Sequence, residues 1–381
     1  MGYSFRSRSG SDLEFSTSEL AGALGDSVTV LPLLVALGAT TTVSLPHVLV
    51  GFGVFQIVWG VAYGLPLSVE PMKALVGLAV VGALSAAELA AAGLLAGGVL
   101  LSVGQLGLVG RLQRVVGEPV IRGVQLAVAL LLLEAAVDLS IGNPPVAVGG
   151  LAVVGLLALV GYRQASVLVV LGLGAVAAVA TAGVPTPTMP ALTVFPAGSP
   201  SLTAAAVEGT VAQLGMTVGN AAIATALLCG DLYDREVSAD ALSTSMGVTC
   251  LAAIPLGGVP MCHGSGGLAG KYAFGARTGG ANVLLGLGYL ALAPIAAGAV
   301  LAAFPMAVLG VLLVVVALEL ARAAVAAVTD RRSLAVVAAV GVAGAAGNVG
   351  VAFVLGTVGS WLVSRSAWGA SGVGEREPDD L

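Results

Sequence analysis

The chain has 381 residues, of which 58% are hydrophobic and only 9% charged. An ordinary soluble domain carries about a quarter charged residues. Mean hydropathy is +1.05. No soluble core could hide that much apolar chain, which excludes a soluble enzyme, a nucleic-acid binder and a disordered protein. The chain holds 55 glycines; such small residues let transmembrane helices approach closely, so the long apolar runs read as spans in a lipid bilayer.

The net charge of −5 gathers in three places. Asp12, Glu14 and Glu19 lie near the start, Asp231, Asp234, Glu236 and Asp240 mid-chain, and Glu375, Glu377, Asp379 and Asp380 at the close. They read as solvated ends. Cys229, Cys250 and Cys262 match no zinc spacing and suggest no disulfide framework, and no cofactor or metal is expected. The polar opening residues do not resemble a signal peptide.

In chain order, spans are expected near 20–40, 44–62, 71–84, 89–109, 119–138, 146–161 and 165–183. A Pro/Thr/Ser-rich linker follows at 184–203. Further spans are expected near 204–229, 239–254, 260–272, 281–303, 305–325, 333–346 and 349–364. The fold class is thus an all-α polytopic membrane protein with seven spans on each side of a linker. Residues 1–18 read as a cytoplasmic tail, 19–183 as the first repeat, 184–203 as external, 204–365 as the second repeat and 366–381 as an acidic cytoplasmic tail. With both termini cytoplasmic, the cations fall on one side: Arg6, Arg8, Arg111, Arg114, Arg122, Arg163, Arg235, Lys271, Arg277, Arg322, Arg331, Arg332, Arg365 and Arg376. Lys73 is the exception. This is the positive-inside bias of a cell-membrane protein.

Leu65-Pro66-Leu67-Ser68-Val69-Glu70-Pro71-Met72 matches Ile254-Pro255-Leu256-Gly257-Gly258-Val259-Pro260-Met261 at both prolines, the leucine and the methionine. Glu19 and Glu208 share the same offset. Each half has an odd number of spans, so the second copy is inverted, the pattern of secondary transporters. Each matching segment reads as a short strand turning into a half-helix at Pro71 or Pro260. Two half-helix N-termini meeting at mid-membrane make an anion pocket from free N–H groups and partial positive charge.

Lys73, in the first turn of the first half-helix, is a direct charge partner for a bound oxyanion. Its alternative is pairing with Glu70. Glu70 itself either couples transport to protons or simply neutralises Lys73. Met261-Cys262-His263-Gly264-Ser265 opens the second half-helix. There Gly264 bares the backbone, and His263 and Ser265 can donate to oxygen. Asp26 on the first span, and Gln213, Thr217 and Asn220 on one face of the eighth, face a cavity or another helix. With Met72, these complete the candidate substrate-binding set. Glu134 and Glu319 are weaker candidates.

Pro71-Met72-Lys73, Pro260-Met261-Cys262-His263-Gly264, Gly266-Gly267-Leu268-Ala269 and Phe274-Gly275-Ala276-Arg277-Thr278 resemble the two signature motifs of the molybdate transporter family, which is related to the sulfate permeases. Leu24-Gly25-Asp26 with Leu31-Pro32-Leu33, and Gly219-Asn220-Ala221-Ala222-Ile223-Ala224-Thr225, are similar to the same pattern. The resemblance implies a 7+7 inverted-repeat fold like that of sulfate and uracil permeases, with a core of spans 1–4 and 8–11 moving against a gate of spans 5–7 and 12–14. It implies a transporter of an oxyanion, with molybdate first and sulfate, or an anion channel on the same scaffold, as the alternatives. It also raises a proton or sodium as coupling ion and a homodimer as assembly. The family pattern has Gln before Pro-Met-Lys, where this chain has Glu70, and often Arg before Phe274, where this chain has Ala273.

Overall fold

A computed structural model describes residues 13–115, 117–296 and 298–371 of the chain. Arg6, Arg8, Asp12, Arg376 and the acidic group Glu375, Glu377, Asp379 and Asp380 lie outside the described residues, as do the side chains of Arg114 and Arg365.

The first half begins with α1 (Thr17–Thr40), whose Ser16 cap accepts from the Glu19 N–H, then α2 (Leu45–Tyr63) and a strand β1 (Val69–Pro71). A short α3 (Lys73–Val80) leads to α4 (Ala86–Gln105), opened by a capping box between Ser85 and Glu88. Next come α5 (Val109–Val115), α6 (Glu118–Ile141), α7 (Pro144–Leu159) and α8 (Arg163–Ala182). The second half opens with α9 (Ala204–Met216), a π-helical segment (Thr217–Ala224) and α10 (Thr225–Tyr233). Then follow α11 (Ala239–Ala253), strand β2 (Met261–His263), α12 (Ser265–Ala273) and α13 (Gly280–Leu292). The described chain closes with α14 (Gly298–Ala302), α15 (Met306–Ala326), α16 (Arg331–Ala346) and α17 (Val349–Ser371).

Among the described residues, eight helical stretches are long and apolar enough to cross a membrane. Helix lies within all fourteen expected segments, with local differences. The half-helices begin at Lys73 and Ser265 rather than at Pro71 and Pro260, because both prolines are held in or beside the strand pair. The 281–303 segment breaks into α13, a tight turn at Ala293–Ile295 and α14; Pro294 cannot donate to a helix ladder. The short α5 was not expected; it follows Gly107, whose φ of 69 places it in the left-handed region.

Two charge assignments are corrected. Glu19 is not solvated: it is buried and its Oε1 accepts from the N–H groups of Arg277 (2.8 Å) and Thr278 (2.9 Å), while Oε2 accepts from Ala281 (3.1 Å). The α12–α13 turn leaves N–H groups that need an acceptor, and a carboxylate is the strongest available. Lys271 does not sit in a cytoplasmic loop. It is fully buried within α12, where it meets Asp26.

Packing follows small residues. α2 lies against α13, and a Cβ at Gly53 would stand 2.9 Å from the Gly286 carbonyl oxygen. α4 lies against α11, and a Cβ at Gly97 would stand 3.3 Å from the Gly247 carbonyl oxygen. Bare glycine surfaces are how helices meet closely in lipid. Elsewhere α1 packs on α12 and α3 on α9; α6 packs on α15, α16 and α17; α15 packs on α7 and α8. The 184–203 linker is laid on the α4, α11 and α13 side. Thr188 donates to the Pro294 carbonyl, Phe195 to Pro255 and Ser201 to Ala87, each at 2.8–3.0 Å.

Candidate functional site

β1 and β2 form an antiparallel pair with Val69 opposite His263, Glu70 opposite Cys262 and Pro71 opposite Met261. The Met72 N–H extends the pairing to the Pro260 carbonyl at 2.9 Å, and the Gly264 N–H reaches Ser68 O at 3.3 Å. Proline tolerates such a place because a two-stranded pair is all edge. An antiparallel pair sends α3 and α12 away from opposite ends, so their first turns flank the same short ladder.

Glu70 occupies the meeting point. Its Oε1 accepts from the Gly267 N–H in the first turn of α12 at 3.1 Å, and its Oε2 lies 2.6 Å from Lys73 Nζ at the start of α3. A Cβ on Gly264 or Gly267 would collide with the Glu70 carboxylate. The same missing side chain at Gly267 admits Asp26 Oδ1 and Ser68 Oγ. Both these oxygens are buried, and apart from each other neither has a hydrogen-bond partner. Lys73 keeps partial access, with 22% of its side chain exposed against 4% for Glu70.

Behind this lies a second pair. Asp26 Oδ2 is 3.1 Å from Lys271 Nζ, both side chains being fully buried, and Lys271 also donates to Asn282 Oδ1 at 2.6 Å. Asn282 in turn donates to the Leu67 carbonyl ahead of β1. Two carboxylates and two ammonium groups thus balance. Burial of this kind is costly unless each charge is paired.

The eighth expected span closes the other side. Gln213 Oε1 accepts from the Ala74 and Leu75 N–H groups at 2.9 and 3.3 Å, capping α3, and Gln213 Nε2 donates to Thr217. Asn220 Oδ1 accepts from Ser265 Oγ at 3.0 Å at the start of α12. Thr217 and Asn220 stand in the π-helical segment, whose wider turn is a frequent mark of functional positions.

The structure therefore gathers Asp26, Glu70, Lys73, Gln213, Asn220, Gly264 and Ser265 around the strand pair. It places others differently. His263 is committed on both ring nitrogens, Nε2 with Ser245 Oγ at 2.8 Å and Nδ1 with the Ser68 carbonyl at 3.1 Å, and it is boxed edge-on by Trp59 and Tyr63. Met72 and Met261 are fully buried among apolar neighbours. Cys262 is half-buried, its Sγ 3.9 Å from the Pro71 carbonyl. Of the weaker candidates, Glu134 is exposed on α6 and Glu319 pairs with Arg163 across the α8–α15 contact. Sequence reading missed Lys271, Ser68 and Asn282. The one signal for Lys271 was Asp26: a carboxylate in the middle of a span needs a cation at the same depth.

A family model described as "Molybdate transporter of MFS superfamily" matches residues 18–132 and 205–320, one stretch running from α1 into α6 and the other from α9 into α15. The chain is 29% identical to Molybdate transporter 2 of Arabidopsis thaliana over 368 residues, covering 81% of this chain and 78% of that protein. It is 29% identical to Molybdate transporter 1 of the same plant over 366 residues, covering 81% and 79%. Among solved structures, the transmembrane domain of the cyanobacterium bicarbonate transporter BicA is similar with a TM-score of 0.65 and 19% identity, over 90% of this chain and 97% of that one. The murine Slc26a9 anion transporter in its inward-facing state is similar with a TM-score of 0.67 and 13% identity, over 94% and 70%. At these identities the structural likeness is one of fold.

Proposed function

The chain belongs to the molybdate transporter family, and from that premise we propose that it is a secondary transporter carrying molybdate inward across the cell membrane. The relatives are transporters, not enzymes. The anion binds where the first turns of α3 and α12 meet, with Lys73 as its charge partner and the amide-rich start of α12 as its donor surface. The observation that carries this reading is the Glu70 carboxylate held between Lys73 Nζ and the Gly267 N–H. That is how an oxyanion would be held: by an ammonium group and a helix N-terminus.

We further read the architecture as fourteen spans in two inverted sets of seven, 19–183 and 204–365. The packing pairs support this, because exchanging the halves carries many of the pairs onto one another. α2 on α13 exchanges with α11 on α4, α1 on α12 with α9 on α3, and α6 on α17 with α15 on α8, while β1 on β2 and α6 on α15 map onto themselves. The core formed by spans 1–4 and 8–11 then moves against the gate of spans 5–7 and 12–14. Both termini are cytoplasmic, on the bias of the loop arginines.

Uptake of labelled molybdate into proteoliposomes, with sulfate as competitor, tests the reading. Saturable molybdate uptake that excess sulfate reduces only weakly is expected, with Lys73→Ala inserted in the membrane but inactive. Stronger competition by sulfate reassigns the substrate, single-channel currents reassign the mechanism, and uptake of neither anion overturns the proposal.

A further inference from the structure

Residues 184–203 join α8 to α9, and no charged residue lies between Arg163 and Glu208. Within this segment Val184, Met189, Leu192, Val194 and Leu202 are 65–90% exposed. Large apolar side chains gathered outward on one uncharged segment mark a surface that meets a protein or a membrane.

The backbone that displays them is pinned. The Thr188 N–H donates to the Pro294 carbonyl past α13, His47 Nε2 on α2 lies 2.9 Å from the Ala191 carbonyl oxygen, the Phe195 N–H donates to the Pro255 carbonyl past α11, and the Ser201 N–H donates to the Ala87 carbonyl in α4. Pro196 seats on Gly257, where a Cβ would stand 2.6 Å from Pro196 Cγ. Phe195 is held at a φ of 51, a left-handed conformation that a side chain disfavours. The segment therefore meets α2 and α4 at their starts and α11 and α13 past their ends. Each of these four helices also turns apolar side chains outward: Val58, Leu95, Val248 and Leu287 are all exposed. So are Leu256 and Ile295, each next in the chain to an anchoring proline. The pinned segment runs along the rim of a lipid-facing belt and continues it.

We propose that residues 184–203 form an interfacial strap, seated in the boundary between headgroups and acyl chains at one end of α2, α4, α11 and α13, with phospholipid as its partner. The inference goes beyond the transport reading and rests only on the spanning architecture. Depth follows from the backbone. The strap is neither helix nor strand, so its polar groups keep it out of the hydrocarbon itself. Five of its residues are proline, which has no N–H to satisfy, and this lowers the number of donors that need water. The partly wet boundary suits such a chain and takes up its apolar side chains. A second copy of the chain fits less well. The strap follows the ends of four helices, and a contact with one neighbour covers one side of that course, whereas lipid surrounds the whole of it.

The test is spin-label accessibility in the full-length protein reconstituted in phosphatidylcholine liposomes. Leu192→Cys and Val184→Cys probe the strap, and Glu236→Cys, exposed in the polar turn between α10 and α11, is the aqueous reference. Wild type taken through the same labelling corrects for the half-buried Cys262. Collisions with molecular oxygen, which concentrates in lipid, are compared with collisions with a nickel chelate that stays in water. Labels at 184 and 192 are expected to meet oxygen more than nickel, at a depth of about 5–10 Å into the boundary, with the reverse order at 236. Nickel in excess over oxygen at 184 and 192 makes the segment an aqueous loop and overturns the inference. Labels shielded from both reagents assign the surface to a protein partner and overturn it as well. None of these positions belongs to the anion site, so labelled proteins that keep saturable molybdate uptake separate the failure of this inference from failure of the transport reading.

Discussion

Asp26 and Lys271 show how a single residue can be read only with its partner. Both side chains are fully buried at 3.1 Å; Lys271 also donates to Asn282, and Asp26 lies at Gly267 beside the Glu70 carboxylate. Removing one partner strands the other charge in an apolar interior, at a cost of about 3–5 kcal/mol. Lys271→Met is therefore expected to lower the thermal unfolding temperature in detergent sharply. Asp26→Asn combined with Lys271→Met is expected to recover much of that loss, since no unpaired charge remains. A double variant as unstable as the single one would show that the pair is held for a reason other than mutual neutralisation. Lys73 differs in being partly exposed and standing at the candidate anion site, so Lys73→Ala is expected to remove uptake, and because it leaves the buried Glu70 carboxylate unpaired, to lower the unfolding temperature of the same detergent sample as well.

Helices in this chain meet through missing side chains. On α11, a Cβ at Gly247 would stand 2.5 Å from the Leu101 backbone nitrogen and 2.8 Å from the Gly97 carbonyl oxygen, with rigid backbone on both counts. Gly98, one residue further along the facing helix, would meet nothing within 4 Å. Gly247→Val is expected to cost about 1–3 kcal/mol by forcing α4 and α11 apart. Gly98→Ala is expected to be neutral or slightly stabilising, because alanine is the better helix former. Equal unfolding temperatures for the two variants would contradict the close-packed α4–α11 contact. The half-helices obey a different local rule. Lys73 starts α3 two residues after Pro71, but α12 waits until Ser265, since Gly264 and the β2 pairing hold the chain extended for longer.

At the scale of the molecule, α1 reaches across a seam, through Val28 and the partly buried Val35 and Ala39. Val28 is buried in a cluster otherwise built from α7, α8, α15 and the Phe304 turn, including Val167, Val170, Phe304 and Val308. If the α1 side slides against these helices during transport, bulk at Val28 obstructs the movement and not the site. Val28→Phe is expected to lower the maximal uptake rate while leaving molybdate affinity in nanodiscs near that of the wild type. A fall in affinity with unchanged maximal rate would place Val28 in the site's support instead of on a moving seam.

Composition and hydropathy alone specify a membrane protein, and helix lies in all fourteen segments so marked, because an apolar run in lipid has few alternatives to a helix. The matching Pro-Met segments likewise announce two short strands, since proline disfavours helix for the residue before it, but not that these strands pair with each other. Neither property says which charges meet. Glu70 next to Lys73 is legible as a local pair, three residues apart on one chain segment. The Gly267 N–H on Glu70, the Lys271 ammonium on Asp26 and the Gln213 cap on α3 join positions separated by 197, 245 and 139 residues. Contacts at such separations depend on how the two halves are set against each other, which no local pattern encodes. His263 makes the same point in reverse: its motif suggests a donor to substrate, and only the neighbouring α11 and the chain before β1 commit both its nitrogens elsewhere.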